Sequence, residues 1–440
     1  MSMDGSLFVL LAVLVMMLIF MTSGMPIPFA LGGVGILTIL IFWGPSGYLT
    51  IANSVWSTFC GDNYVAIPMF LLMANILEKS GIADEMYDCF YKWLGGVRGG
   101  LAMGTVVICA IFAAMCGGSG AATVTMGLIA LPSMMNRGYD KHIAMGVIAA
   151  GGVLGIIIPP SIPMVILSQY TKTVSVGRLF FAGVIPGILC AILYCIYIGI
   201  RCAITPSLCP AIPKEERVSF REKLKASKAV IAPALLIVFV LGSIYTGMAT
   251  TTEAAGIGAG MSILIAILKR KLNIRNFKDA LRRTLRLMGM ILWILTGAQI
   301  LSTAFNFMGV STLLKNAAAA LPGGATAVLI CMMLLNFVLG AIMDDYAVIT
   351  ITAPIYIPII ESLGIDPLWF CMLFMLNLQM AYLTPPYGFN LFFLKSIVPE
   401  GISLKDIYRS VIPFIGLMII ALVICWVFPG LITWLPNRLI

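Results

Sequence analysis

The stretch GIIIPPS, residues 155 to 161, has a counterpart in AYLTPPYG, residues 381 to 388, and the two proline pairs are 226 residues apart. Three more positions repeat at this distance: Pro132, Gly138 and Asp140 return as Pro358, Gly364 and Asp366. A second set repeats at a distance of 223: Gly24, Met25, Gly33 and Gly35 return as Gly247, Met248, Gly256 and Gly258. Repeated helix breakers indicate two halves of one design. Interrupted helices at equivalent places in two repeats are typical of secondary transporters.

The composition predicts a polytopic membrane protein. The chain has 440 residues, of which 61% are apolar and only 10% charged, too few polar groups to cover a soluble globule. About eleven apolar stretches are expected to reach the roughly 20 residues needed to span a bilayer. The N-terminus carries no basic segment before its first apolar stretch, so we expect that stretch to remain in the mature protein.

The net charge of +9 comes largely from two short basic clusters. The first contains Lys214, Arg217, Arg221, Lys223, Lys225 and Lys228. The second contains Lys269, Arg270, Lys271, Arg275, Lys278, Arg282, Arg283 and Arg286. Two spans fit between the clusters, so both lie on one face, and positive residues mark that face as cytoplasmic. We therefore interpret the charge as a determinant of topology that contacts membrane lipids, not nucleic acid.

The sequence lacks the residue patterns expected for a disulfide framework, a metal site or nucleotide binding. The eleven cysteines are scattered without a Cys-x-x-Cys motif, and His142 is the single histidine, so neither a disulfide framework nor a metal site is predicted. No phosphate-binding loop or dinucleotide motif occurs. The driving energy is therefore expected to come from an ion gradient or from the gradient of the substrate.

Two segments predict re-entrant helical hairpins. Residues 101 to 135 hold two apolar arms around Cys116 to Gly120, and residues 325 to 361 hold two arms around Met343 to Asp345. Arms of about 15 residues reach only about 22 Å, which is short of a crossing. Five predicted crossings separate the hairpins. Since this number is odd, the repeats should be inverted, as alternating access requires.

The proline pairs predict two broken helices beside these hairpins. Adjacent prolines remove backbone donors and free carbonyls one turn earlier, and such carbonyls need a partner inside a membrane. Na⁺ suits these carbonyls, and the half-helix N-termini at the hairpin tips suit an anion.

The acidic residues leave alternatives open. Asp344 and Asp345 lie at hairpin depth, where carboxylates are usually functional, although one of them could simply cap the second arm. Glu253 fits either an N-cap region or a role with an ion or partner. Asp62 and Asn63 are similarly ambiguous.

At these motifs the chain resembles the large membrane subunit of tripartite ATP-independent periplasmic (TRAP) transporters. The matching segments are GGSGAATVTMGLIALPSMMNRGYDK, GIIIPPSIPMVIL, TTTEAAGIGAG, GAIMDDYAVITITAPIYIP and LTPPYGFNLFFL. The resemblance covers essentially the whole chain. It implies an all-α inner-membrane protein of the elevator type that co-transports Na⁺ with a small organic anion, a carboxylate or a sulfonate. It also implies two partners, a small four-helix membrane subunit and a periplasmic substrate-binding protein.

Carried over residue by residue, the resemblance implies two Na⁺ sites and one substrate site. The first Na⁺ site would use Cys116, Gly118, Ser119, Gly155, Ile158 and Pro160. The second would use Gly340, Ala381 and Thr384. Substrate would lie near Ser119, Thr123, Ser161 and Asp344. Many relatives carry Ser where this chain has Cys116, so a backbone oxygen could serve as the ligand there.

The predicted hairpins and broken helices, together with the resemblance, divide the chain into six parts. Residues 1–100 and 229–324 are expected to form scaffold helices, and residues 101–203 and 325–409 the hairpins and broken helices. Residues 204–228 form a basic linker, and residues 410–440 a C-terminal helix. A stand-alone Na⁺/dicarboxylate carrier is the alternative transporter. An integral membrane enzyme would need clustered His, Asp or Glu side chains, and a channel would have no use for two inverted hairpins.

Overall fold

The computed structural model describes residues 3–213 and 217–439, and the described chain is helical without β-strands. Lys214 of the first basic cluster and the side chains of Asp62 and Asn63 lie outside the described residues. The helices of the first half are α1 Met3–Thr22, α2 Ile27–Phe42, α3 Tyr48–Phe59, α4 Ala66–Lys79, α5 Ile82–Leu94, α6 Gly100–Cys116, α7 Ser119–Asn136, α8 Lys141–Val153, α9 Ile162–Ser168 and α10 Val176–Ile204.

The second half repeats this order after a short linker helix. Its helices are α11 Phe220–Ala226, α12 Lys228–Tyr245, α13 Thr251–Leu268, α14 Ile274–Phe307, α15 Val310–Ala319, α16 Gly324–Ile342, α17 Asp345–Ser362, α18 Pro367–Ala381, α19 Phe389–Lys395, α20 Leu404–Val427 and α21 Gly430–Leu439. The predicted C-terminal helix is thus two helices, and the expected domain boundary at residue 409 falls inside α20.

Six of the described helices are long and apolar enough to cross a membrane, or seven if the bent pair α4 and α5 counts as one span. The axis turns by 61° between α4 and α5. Five shorter apolar helices of 10 to 17 residues complete the set, and they belong largely to the hairpins and broken helices. The expectation that about eleven apolar stretches reach spanning length is therefore wrong for these five helices, most of which end at a hairpin tip or at a proline break.

The repeated breakers do the same job in both halves. Gly138 and Gly364 both turn the chain with a positive φ, 76° and 70°, which glycine adopts without steric cost. Two residues later, Asp140 caps α8 by accepting from the His142 N–H, and Asp366 caps α18 by accepting from the Leu368 N–H. The repeat in the sequence is therefore a repeat of turn-and-cap geometry.

The helices pack as two groups. In one group α14 packs along α2, α3 and α4, and α4 packs against α13. In the other group α8 contacts α6, α7 and α20, and α18 contacts α16 and α10. Contacts of α4 with α6 and of α14 with α17 join the groups, so the hairpins lie against the first group.

Candidate functional site

The tip of the first hairpin rests on the break between α8 and α9. At the tip Gly117 has a φ of 64°, and Gly118 is extended before α7 begins. The Ile162 N–H donates to the Gly117 carbonyl at 2.9 Å. A Cβ atom added to Gly155 would lie 2.6 Å from the Gly118 carbonyl oxygen, so only glycine permits this approach.

The break exposes backbone oxygens beside this tip. The Ser161 hydroxyl donates to the Ile156 carbonyl at 2.6 Å, which satisfies one of the freed groups. Within the described chain, no hydrogen-bond donor reaches the carbonyls of Ile158, Pro159 or Pro160. Bare carbonyl oxygens in an apolar surrounding are suited to a hard cation.

The second hairpin meets its own break in the corresponding way. The Gly388 N–H donates to the Ala341 carbonyl at 3.2 Å, and Gly388, like Ile162, lies two residues after its proline pair. A Cβ atom on Gly340 would come within 2.7 Å of the Ala381 Cβ. The Thr384 hydroxyl donates to the Met380 carbonyl at 2.9 Å, which leaves its oxygen free to accept or to coordinate. Each half therefore has a tip packed on a broken helix.

A cavity of about 630 Å³ lies between the two tips and the first helix group. The first hairpin and α9 contribute Cys116, Gly118, Ser119, Gly120, Ala121, Val124 and Ile162. The second hairpin and its broken helix contribute Asp344, Asp345, Tyr346, Tyr382, Phe389 and Phe393. The remaining wall comes from α4 and α14, with Leu71, Ala74, Asn75, Glu78, Arg283, Arg286, Leu287 and Met290. Its volume suits a small organic molecule.

Two neighbouring carboxylates sit at the second tip. Asp344 is the N-cap of α17 and accepts from the Ala347 N–H at 3.1 Å, so the capping role considered for one residue of the pair belongs to Asp344. Asp345 is 4% exposed and accepts from the Tyr346 N–H at 3.1 Å. The Tyr382 hydroxyl lies 3.4 Å from the same carboxylate. Asp345 therefore holds Tyr382 of the second broken helix against the tip.

Two arginines in the cavity wall were missed by the sequence reasoning. Arg283 and Arg286 belong to the second basic cluster, for which the sequence predicts a role in topology and lipid contact. In the structure Arg283 donates to Glu78 of α4 at 2.8 Å, and Arg286 also lines the cavity. Their spacing of three residues along a helix, continued by Leu287 and Met290, was the available signal for a shared face.

The structure brings most of the predicted site residues together. Cys116, Gly118, Ser119 and Asp344 line the cavity, whereas Thr123 and Ser161 are outside its lining and are fully buried. The Thr123 hydroxyl donates to the Asn390 amide oxygen at 2.7 Å. The Asn390 amide group in turn donates to the Ala149 carbonyl at 2.8 Å. Thr123 thus connects the first hairpin to both broken helices.

Glu253 has the simpler of its two predicted roles. The Glu253 N–H donates to the Thr250 hydroxyl at 3.3 Å, and the Glu253 carboxylate accepts from the Thr250 N–H at 2.7 Å. This reciprocal pair is a capping box at the start of α13. The hydrogen bonds of Glu253 are therefore those of a helix cap.

Comparison with known proteins decides the family. The model of the tripartite ATP-independent periplasmic transporter, DctM component, matches residues 14–431 of the chain. The chain belongs to the DctM family. A relative from Vibrio cholerae, the C4-dicarboxylate TRAP transporter large permease protein DctM, is 33% identical over 95% of both chains. The protein of the same name from Pseudomonas aeruginosa is 33% identical over 93% of this chain and 94% of its own.

DctM relatives are permeases, so this chain is a multi-pass permease of the bacterial inner membrane and not an enzyme. The relatives carry different substrate names. The sialic acid TRAP transporter large permease protein SiaM of Vibrio cholerae is 26% identical over 94% of this chain and 95% of its own.

Solved structures agree in fold. The YdaH transporter of Alcanivorax borkumensis superposes with a TM-score of 0.59 over 89% of this chain and 90% of its own, at 14% sequence identity. The MtrF protein of Neisseria gonorrhoeae superposes with a TM-score of 0.57 over 89% of this chain and 85% of its own, also at 14% identity. The DctM chain therefore shares a membrane-transporter fold with proteins of distant sequence.

Proposed function

We propose that this permease subunit takes up a small organic anion, a carboxylate or sulfonate, together with Na⁺. The observation that carries the proposal is the pair of tip-on-break contacts, one in each half, with a single cavity between them. Each contact combines a hairpin tip with the carbonyl-rich end of a broken helix. Oxygen atoms from both would surround a Na⁺ ion, and the cavity between the two would hold the anion.

The expected Na⁺ ligands can be named in each half. At the first tip the bare carbonyl of Pro160 lies beside Gly117, and Ser119 opens α7. The bare carbonyl of Ile158 belongs to the same break. At the second tip Thr384 and Ala381 lie beside Gly340. Neither set contains a carboxylate, as is suitable for a monovalent cation that must be released after each cycle.

We further propose that the hairpins and broken helices move as a block against the helices around α14. A cavity walled on one side by the hairpins and on the other by α4 and α14 would change its access if one wall slid past the other. Four candidate spans lie between the two hairpins in the described chain: α10, α11 with α12, α13 and α14. With the broken helix α8 and α9 as a fifth crossing the number is odd, which would turn the second repeat over relative to the first. This is the symmetry from which alternating access arises.

The proposed transporter contains two further proteins besides this chain. The family name describes a tripartite transporter, and a relative from Oleidesulfovibrio alaskensis is named the isethionate TRAP transporter permease protein DctMQ. The aligned region is 28% identical and covers 94% of this chain but 64% of that longer relative. We propose that a small four-helix membrane subunit and a periplasmic binding protein work with this chain.

Uptake should depend on a Na⁺ gradient. Proteoliposomes that contain the complete transporter should accumulate substrate when Na⁺ is outside, and a Na⁺ ionophore should abolish accumulation because the ion supplies the driving force. The measurement is uptake of a radiolabelled anion such as succinate, with K⁺ replacing Na⁺ as the control. Equal uptake with K⁺ would contradict Na⁺ coupling.

The chain alone should fail to accumulate substrate. A moving block needs a fixed frame, and we assign part of that frame to the small subunit, which would pack through helix shape complementarity within the lipid. Adding the small subunit and the binding protein should restore Na⁺-driven uptake in the same liposomes. Comparable uptake of free anion by the purified chain would instead support a stand-alone carrier.

A further inference from the structure

Charges in the cavity are divided between its two walls. The wall formed by the second tip carries Asp344 and Asp345, both held by hydrogen bonds within the tip region. The opposite wall carries Glu78, Arg283 and Arg286. An anion that enters between these walls is repelled by the carboxylates and drawn toward the arginines.

The two arginines of the cavity wall differ in whether they have an ion-pair partner. Arg283 is already paired with Glu78 at 2.8 Å, so this carboxylate offsets part of its positive charge. Arg286 has no hydrogen bond or ion pair to any residue that the structure describes. It lies one turn further along α14, beside Leu287 and Met290 of the same wall.

We propose that Arg286 binds the carboxylate or sulfonate group of the substrate from the α14 wall of the cavity. This inference rests on the proposed function, because it names the group that receives the anion. A planar guanidinium can donate two parallel hydrogen bonds to a carboxylate, which fixes its orientation as well as its position. The aliphatic part of the substrate would then lie toward Leu287, Met290 and Phe389.

The Glu78–Arg283 ion pair limits the free positive charge on this wall of the cavity. With Arg283 paired, Arg286 is the cation of this wall that has no partner among the described residues, and it can receive one anionic group of the substrate. Removing the Glu78 charge would release Arg283 as a second cation. The Glu78→Gln variant should therefore attract anions more strongly than the unaltered protein.

A role in membrane topology alone does not explain why Arg286 lines the cavity. Arg282 belongs to the same basic cluster and is exposed, yet it does not line the cavity. If the cluster served only to orient the chain in the membrane, Arg282 and Arg286 would be equivalent. Their different placement makes Arg282 a matched control for Arg286.

The test measures how the cavity attracts a small sulfonate without requiring knowledge of the natural substrate. Met290→Cys introduces a thiol in the cavity wall of the full-length chain, and the exposed Cys60 and Cys331 are replaced by serine. Purified protein reacts with anionic sulfonatoethyl methanethiosulfonate or with its cationic trimethylammonium analogue. The parent without Met290→Cys gives the background from the remaining cysteines, including Cys116.

We expect Arg286→Gln to lower the ratio of anionic to cationic reaction rates by about tenfold, since removal of a nearby unit charge acts on the two reagents in opposite directions. Arg282→Gln should leave the ratio within about twofold, and Glu78→Gln should raise it. Equal ratios for Arg286→Gln and Arg282→Gln would overturn the inference. Absence of any reaction at Met290→Cys would also overturn it, since the cavity would then not admit an anion.

This outcome is separate from the test of Na⁺ coupling. If wild-type uptake proves independent of Na⁺ while Arg286→Gln still lowers the reaction ratio, the proposed coupling fails and the anion-binding residue stands. If uptake depends on Na⁺ but Arg286→Gln leaves the ratio of reaction rates unchanged, the coupling stands and the assignment of Arg286 fails.

Discussion

The Asp344→Ala variant is expected to lose at least about 90% of substrate uptake while it inserts and assembles at nearly wild-type levels. Asp344 caps α17 at the second tip and also lines the cavity, so its removal alters both the tip geometry and the charge at that wall. The loss of an N-cap alone costs about 1 kcal/mol, too little to unfold the protein. Uptake and the amount of purified complex are measured together.

Two controls separate the cap from the carboxylate. Asp344→Asn keeps a good capping side chain without its charge, so strong residual uptake would assign the role of Asp344 to tip geometry. Asp366→Ala likewise removes an aspartate N-cap, here from α18, a helix that does not line the cavity. This variant should leave uptake nearly unchanged. Wild-type uptake by Asp344→Ala would place this residue outside the transport mechanism.

The Gly155→Ala and Gly340→Ala variants are expected to reduce Na⁺-dependent uptake by at least about tenfold. An added Cβ would lie 2.6 Å from the Gly118 carbonyl oxygen in the first case and 2.7 Å from the Ala381 Cβ in the second. Both neighbours are backbone or adjacent to it and cannot rotate away, so the tip must separate from its broken helix. The expected signature is a higher Na⁺ concentration for half-maximal uptake.

Other glycines on helices provide matched controls. Gly199 on α10 and Gly242 on α12 have no atom within 4 Å of an added Cβ. Alanine at either position should preserve uptake and its Na⁺ dependence, and greater helix propensity should slightly stabilise the protein. An unchanged Na⁺ dependence in both Gly155→Ala and Gly340→Ala would contradict the two proposed ion sites.

The sequence could predict the hairpins and the broken helices because their signals are local. Proline pairs, tip glycines and capping aspartates act within one or two turns of the chain, and their repetition at 226 residues exposes the second copy. The positions of α6, α7, α16 and α17 agree with the predicted arms. The Na⁺-binding and substrate-binding roles that the family resemblance implies for particular residues stay predictions.

The cavity wall on α4 and α14 could not be predicted, because it is made by long-range packing. Glu78 and Arg283 are 205 residues apart, and nothing in either local sequence identifies the partner. The same limit applies to the Thr123 hydroxyl, which donates to Asn390, 267 residues away. The expectation that substrate lies near Thr123 stays a prediction. Periodicity shows which face of a helix a residue occupies, but not which helix covers that face.

Asn390 gives the two proposed ion sites a means of communication. Its amide bonds Thr123 and Ala149 at once, so a shift of the second broken helix would pull on the hairpin and the broken helix of the first repeat. Occupation of one site should then alter the affinity of the other, and the reverse effect must be equally large. Uptake should rise sigmoidally with Na⁺ concentration, so that the carrier responds to a narrow range of salt and stays idle below it.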